Sequence, residues 1–459
     1  MTDNTRPDPE AIVAEVRKST ESRVKVAIVD IDGVLRGKYI LKDKFLSAVE
    51  KGFGFCDVVF GWDCADVCYD NVKLTGWHTG YPDANARLDL QTFRRVPWDD
   101  GVPFFLADFE DGRGGDLAAC PRRLLKRVLG EIEDAGYQTR AGLEFEWFNF
   151  KETPDTLFEK THTASRLTPL TPGMFGYSVL RAGRSQPYFK ALMDELAAFG
   201  VPLEGLHTET GPGVFEAAIR YSEGLEAADR AALFKTGVKE IAARFDILPT
   251  FMARWNTSLP GSSGHIHHSL WSIDGTLNLF EDASRPDGMS DTFRHFIAGQ
   301  IKAVPHLLPM LAPTVNSYKR LVEGFWAPTR MTWGIDNRTV ALRVIRGGKA
   351  TRLETRIGGA DLNPYLALAA LFAAGLYGIR EKVELEAKPV EGNGYAVKDA
   401  PKLASNLAEA AQIMHGSELA RSLLGDSFVD HFCATREWEW RQSQAAVTDW
   451  ELKRYFEII

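Results

Sequence analysis

The segment Arg140-Ala-Gly-Leu-Glu-Phe-Glu-Trp-Phe-Asn-Phe150 reads as a β-strand with two unlike faces. Side chains two apart share a strand face, so Glu144 and Glu146 project together while Leu143, Phe145 and Trp147 project from the other side. Neighbouring carboxylates repel and require cations or solvent. The segment is therefore either an edge strand with one wet face or one wall of a cation site.

Further polar groups follow downstream. Glu209-Thr-Gly-Pro-Gly-Val-Phe-Glu216 places two carboxylates around a Gly-Pro-Gly turn, with Glu204 and His207 just before it. Gly261-Ser-Ser-Gly-His-Ile-His-His268 follows a Gly/Ser loop, and His265 and His267 share a strand face. Neutral imidazole is a good metal ligand. Asn316-Ser-Tyr-Lys-Arg-Leu321, Asp336-Asn-Arg-Thr-Val-Ala-Leu-Arg343 and Arg352-Leu-Glu-Thr-Arg356 supply arginines, with Arg352, Glu354 and Arg356 on one face. That face is either a solvated salt-bridge ladder or a carboxylate ligand flanked by phosphate-binding forks. Many Glu, one or two His and several Arg suit a hard-cation site for polyphosphate. No G-x-x-x-x-G-K-[ST] loop and no G-x-S-x-G elbow is present, which excludes a P-loop and an α/β-hydrolase nucleophile elbow.

The chain has 459 residues, 45% hydrophobic and 25% charged, with a formal net charge of -8. It carries no Lys/Arg block, which argues against nucleic-acid or anionic-membrane partners. The longest apolar run, Tyr365 to Ile379, is too short and too Ala/Gly-rich to span a bilayer. The polar start, Met1 to Glu21, is no signal peptide and reads as a frayed end followed by a short helix. Cys56, Cys64, Cys68, Cys120 and Cys433 form an odd, scattered set expected of a reducing, cytoplasmic compartment. Cys64 and Cys68 read as small buried residues rather than metal ligands.

Val24 to Asp30 and Leu35 to Leu41, joined by Asp32-Gly33, read as a β-hairpin. A helix over Asp43 to Gly52 and a strand over Pro103 to Asp108 complete a small α+β unit, residues 1–110. Asp111 to Asp116 is the linker candidate. Residues 111–459 read as one large α+β domain, with helices at Pro121 to Gly136, Gln186 to Phe199, Ala227 to Phe245, Asp291 to Leu308 and Pro364 to Arg380.

In this order, and with Asp30-Ile-Asp-Gly-Val-Leu-Arg-Gly-Lys38, Asn337-Arg338 and Asn363-Pro-Tyr365 added, the segments resemble the glutamine synthetase family over nearly the whole chain. The resemblance implies an N-terminal β-grasp domain and a larger catalytic domain, in stacked-ring homo-oligomers, most often dodecamers, whose active sites lie between subunits. It implies ATP, L-glutamate and an amine as substrates, with two or more Mg²⁺ or Mn²⁺ ions. One ion would be held by Glu146, Glu209 and Glu216, and the other by Glu144, His265 and Glu354. Arg320 and Arg356 would clamp glutamate near Gly261. Arg338 and Arg343 would hold the transferred phosphoryl group, and Arg352, His267 and Ser269 would lie by ATP.

Two departures bear on the amine. Ammonia-using members carry a Glu after K-R-L and an Asp in the N-terminal domain, both of which bind ammonium. The corresponding positions here are Trp326 and Phe60, with Glu323 and Asp63 as shifted carboxylates nearby. The loop Gly261-Ser-Ser-Gly264 also departs from the usual G-S-G-M and resembles the polyamine-type branch. Aromatics in place of the cation-binding carboxylates suit an apolar amine. The expected activity is that of a γ-glutamylamide synthetase acting on an aryl or small alkyl amine, resembling the γ-glutamylanilide and γ-glutamylisopropylamide synthetases. The rivals are an ammonia-using glutamine synthetase, a glutamylpolyamine synthetase, and a non-catalytic homologue that keeps only the fold.

Overall fold

The computed structural model describes residues 8–110 and 117–459. Met1 to Pro7 and the Gly-rich segment Asp111 to Asp116 lie outside the described residues. The described residues build two sheets. The first contains Arg23–Val29 (β1), Leu35–Leu41 (β2), Phe53–Cys56 (β3), Asp83–Leu88 (β4), Arg94–Val96 (β5) and Val102–Glu110 (β6), in the order β2-β1-β6-β4-β3 with β5 also on β6. β1 and β2 are the expected antiparallel hairpin, and β1 runs parallel to β6. The helices Pro9–Lys18 and Lys42–Lys51 pack on this sheet, burying Ile12, Val16 and Phe45.

The second sheet comprises Tyr137–Phe150 (β7), Leu203–Thr208 (β8), Val214–Ile219 (β9), Leu248–Thr250 (β10), Gly264–Ser272 (β11), Trp333–Ile335 (β12), Leu342–Ile345 (β13) and Arg352–Thr355 (β14). Its order is β12-β13-β14-β11-β7-β9-β8, with β10 on the end of β7. β7 thus lies in the interior, between β11 and β9, and is not an edge strand. Its aromatic face is fully buried: Trp147 stacks edge-on to Phe234 and Phe215, and Phe145 lies parallel to Phe234 at 6.0 Å. Among the helices backing this core are Pro121–Asp134 (α1), Gly224–Ala243 (α2), which carries Phe234, Asp291–Leu307 (α3) and Pro364–Arg380 (α4).

The apolar run of α4 is a core helix, buried on nearly all sides. It crosses α3 where Gly299 meets Gly378: a Cβ on Gly378 would sit 2.0 Å from the His295 carbonyl oxygen. Close backbone approach is therefore what both glycines provide. Among the described residues no helix is long and apolar enough to cross a membrane. All five cysteines are free, and Cys64 is exposed, which corrects the buried reading of that residue.

Buried polar contacts join the two sheets. Arg122, 2% exposed, donates twice to Asp229 at 2.8 Å and also reaches Asp108 at 3.0 Å and Asp89 at 2.9 Å. The Asp30–Gly33 turn lies against the start of α4, where Asn363 donates to the carbonyls of Asp30 and Ile31 and Arg436 pairs with Asp32 at 2.5 Å. Two sequence motifs, Asp30 to Lys38 and Asn363 to Tyr365, are thus halves of one structural contact.

Candidate active site

The polar face of the second sheet carries the chemistry, because strand register brings separate motifs side by side. Glu216 of β9 stands opposite both Glu146 of β7 and His207 of β8. Glu144 of β7 faces His265 of β11, and Glu354 of β14 faces both His267 and Arg343. These groups line a cavity of about 630 Å³ together with Glu209, Gly261, Arg320, Arg338, Arg352 and Arg356.

Two clusters in it have metal-ligand spacing, with their ligand atoms within 4.8 Å of one another. One is Glu144, His265 and Glu354, the set expected from sequence. The other is His207, Glu209 and Glu216, two of the three carboxylates expected there with His207 beside them; the third, Glu146, lines the same cavity opposite Glu216. One oxygen of Glu146 accepts from the Ser263 amide at 2.6 Å, and the other is not engaged by that bond.

The two clusters differ electrostatically. Burial, with the charges of Glu146, Glu144 and Glu209 added, pushes the Glu216 carboxyl up to about 9, and Glu209 is raised for similar reasons. Burial also acts on Glu354, but His265, Arg356, His267 and Arg343 outweigh it and hold that carboxyl at about 2. Glu144 is held well below the usual range because His267 and His265 outweigh its burial. Burial and the Arg356 charge lower His265, so its ring is neutral at pH 7, the form that binds metal. The oxygen and imidazole donors of both clusters therefore fit divalent ions.

The arginines are anchored. Arg320 is 3% exposed and donates to the Ile357 carbonyl at 2.9 Å. A Cβ on Gly261 would sit 2.8 Å from the Arg320 Cγ and 2.4 Å from the Ala253 carbonyl oxygen, so only glycine leaves room for the arginine stem. Arg356 and Arg343 both pair with Glu354, and Arg343 also holds Asp336. Arg338 is exposed at the cavity wall.

A second cavity of about 420 Å³ shares Glu144, His267 and Arg352 as a wall and adds Ser269, Trp271, Tyr221 and Arg140. Arg352 donates through Nε to His267 Nδ1 at 3.1 Å, and Trp271 donates to the Ser269 hydroxyl at 3.0 Å. A larger cavity, about 750 Å³, lies between Asn71–Leu74 and the C-terminal helices and holds none of these groups.

Trp326 lines the first cavity, 58% exposed, beside Phe325, which lies 4.5 Å below the Arg254 guanidinium. Its φ of 59° is a strained backbone conformation for a bulky residue, the kind found at functional loops. Neither shifted carboxylate compensates. Glu323 turns away to Lys398 at 2.9 Å, and Asp63 accepts from Ala65, Val67 and Trp438. Phe60 does not line the site: it is fully buried, edge-on to Phe109 at 5.2 Å, and offers no surface to a pocket in its own chain or a neighbour. That corrects the pairing of Phe60 with Trp326. Tyr177, Phe325 and His207 belong to the wall but were not singled out as site residues. Tyr177 stacks on His207 at 4.4 Å from 30 residues away, so no local pattern marks it.

The catalytic domain of glutamine synthetase matches residues 118–455. A type-1 glutamine synthetase of Dictyostelium discoideum is 52% identical over 98% of this chain and 86% of its own length. A γ-glutamylethanolamide synthetase of Streptomyces coelicolor is 39% identical over 100% and 97%. A glutamate–isopropylamine ligase of a Pseudomonas species is 37% identical, covering 97% of each chain. Among solved structures, a GmaS/ADP complex superposes with a TM-score of 0.84 at 27% identity, over 97% of this chain and 99% of the other. With a family match across most of its length and a relative 52% identical nearly end to end, the chain belongs to the glutamine synthetase family, whose members are ATP-dependent ligases that form carbon–nitrogen bonds.

Proposed function

We propose that this ligase joins L-glutamate to a hydrophobic primary amine, aryl or small alkyl, through γ-glutamyl phosphate. The observation that carries the amine reading is Trp326 beside Phe325 on the cavity wall, with Glu323 turned away. An ammonium site needs a carboxylate to hold the cation and take its proton, whereas an apolar wall favours an alkyl or aryl group. A relative named for isopropylamine supports the reading. The type-1 glutamine synthetase at 52% identity favours a second one, in which ammonia is the amine.

In this reading Arg320 and Arg356 bind the carboxylates of glutamate beside Gly261, and ATP lies along Ser269, His267 and Arg352. A γ-carboxylate oxygen of glutamate attacks the γ-phosphorus, the bond to the β-phosphate oxygen breaks, and ADP leaves. The neutral amine nitrogen then attacks the acyl carbon, phosphate leaves and the nitrogen loses a proton. Arg338 and Arg343 balance the charge on the phosphoryl oxygens in both steps. Two Mg²⁺ or Mn²⁺ ions would be held by Glu144, His265 and Glu354 and by Glu146, Glu209 and Glu216; bound there, they supply electrostatic stabilisation of polyphosphate charge.

The chain divides, in the same reading, into residues 1–110 and 111–459, and assembles in stacked rings in the cytoplasm. Phe456, Ile458 and Ile459, 85%, 82% and 95% exposed, are apolar surface that such an assembly would cover. The direct test is to incubate the enzyme with ATP, glutamate and isopropylamine or aniline, and identify the γ-glutamylamide by mass spectrometry alongside stoichiometric phosphate. Phosphate release that depends only on ammonia would refute the amine assignment.

A further inference from the structure

We infer that His207 is a metal ligand, its Nε2 joining Glu209 and Glu216 in a mixed nitrogen–oxygen donor set. This rests on the ligase reading above and extends it to a residue outside the carboxylate set. His207 Nε2 lies 4.0 Å from Glu216 Oε2. Two atoms each about 2.1 Å from one ion lie roughly 3–4 Å apart, so the spacing fits a shared cation.

Two independent features point the same way. His207 Nδ1 lies 3.1 Å from the Thr208 carbonyl, which only accepts, so Nδ1 carries a hydrogen and Nε2 is the ring nitrogen left to face the carboxylates. Donation of the other ring N–H to a carbonyl is how ligating histidines are oriented. The ring plane is also fixed, by Tyr177 stacked at 4.4 Å and 23° and by the β8–β9 register that sets His207 opposite Glu216. Glu146 has one oxygen committed to the Ser263 amide, leaving it one free for this ion. An imidazole donor here shifts preference from Mg²⁺ toward Mn²⁺. Otherwise His207 is only a platform for Tyr177.

The test uses the full chain stripped with chelator and titrated with Mn²⁺, read by pulsed EPR for imidazole ¹⁴N coupling. His265→Gln should retain imidazole coupling, contributed by His207, and the His207→Gln/His265→Gln pair should lose it. His207→Gln alone should weaken one Mn²⁺ by about tenfold or more, leave the other unchanged, and lower the preference for Mn²⁺ over Mg²⁺. Two bound Mn²⁺ in His265→Gln with no imidazole coupling would overturn the inference and leave the ligase reading standing. A stripped wild-type chain that binds no Mn²⁺ would overturn both.

Discussion

Loading the cation cluster around Glu216 should release a proton, and the cluster around Glu354 should not. Glu216 is raised to about 9, so it is protonated at pH 7 and must ionise before it can bind a metal. Two pH units of deprotonation cost about 3 kcal/mol, or about a hundredfold in apparent affinity. The sign follows directly: affinity at this cluster should climb about tenfold per pH unit up to pH ~9 and then level off. Glu354, held at about 2, and the depressed Glu144 are already ionised at neutral pH, and His265 is already neutral. Binding there should be nearly flat between pH 7 and pH 9. Titration calorimetry with Mn²⁺ at pH 7, in two buffers of different ionisation enthalpy, counts the protons. Two classes of site are expected, one releasing about one proton per ion. Two pH-independent sites would refute this, and so would proton release assigned to the Glu354 cluster by a Glu354→Gln variant.

Three further outcomes follow from named contacts. Arg343→Ala should lower kcat by about a hundredfold or more with little change in the KM for glutamate, because its charge opposes charge that grows in the transition state; steady-state kinetics with an unchanged kcat and a raised KM would place it elsewhere. Arg122→Met should destabilise the fold by about 3–5 kcal/mol by stranding buried aspartates. Asp89 is held at about 2, because Arg122 and Lys126 outweigh its burial, so its share of stability is present above pH ~4 and fades as pH falls toward 2. Urea melts should therefore show the gap between wild type and variant narrowing in acid, and equal midpoints at pH 7 would contradict a stabilising role for the buried Arg122 contacts. In sedimentation velocity the active enzyme should run as a ring-sized oligomer, and a fully active monomer would exclude shared sites.

Much of the site was legible because strand alternation is strict. Glu144 with Glu146, His265 with His267, and Arg352 with Glu354 and Arg356 each share the face their spacing predicts, and α4 spans Pro364–Arg380 as read. What alternation does not report is which side of a turn is wet. Phe60 sits in a short 3₁₀ turn, where an aromatic can face a core or a pocket, and Phe109 on β6 decides for the core. Tyr177 and Arg122 were illegible for another reason: their partners are 30 and 107 residues away, and only the assembled layers bring them together. Trp326 was flagged by its position after Lys319-Arg320-Leu321, but its left-handed backbone was not, since a bulky residue adopts that conformation only when its surroundings enforce it.

In the proposed activity an aromatic wall, rather than a carboxylate, selects the amine. The most direct measurement is kcat/KM for isopropylamine, aniline and ammonia at saturating ATP and glutamate, in wild type and in Trp326→Glu. Burying an isopropyl group gains about 2 kcal/mol at roughly 0.8 kcal/mol per carbon, so wild type should prefer it over ammonia by about thirtyfold or more. Trp326→Glu should narrow that ratio by restoring a carboxylate. A wild-type enzyme that prefers ammonia, or a Trp326→Glu enzyme with an unchanged ratio, would contradict the account.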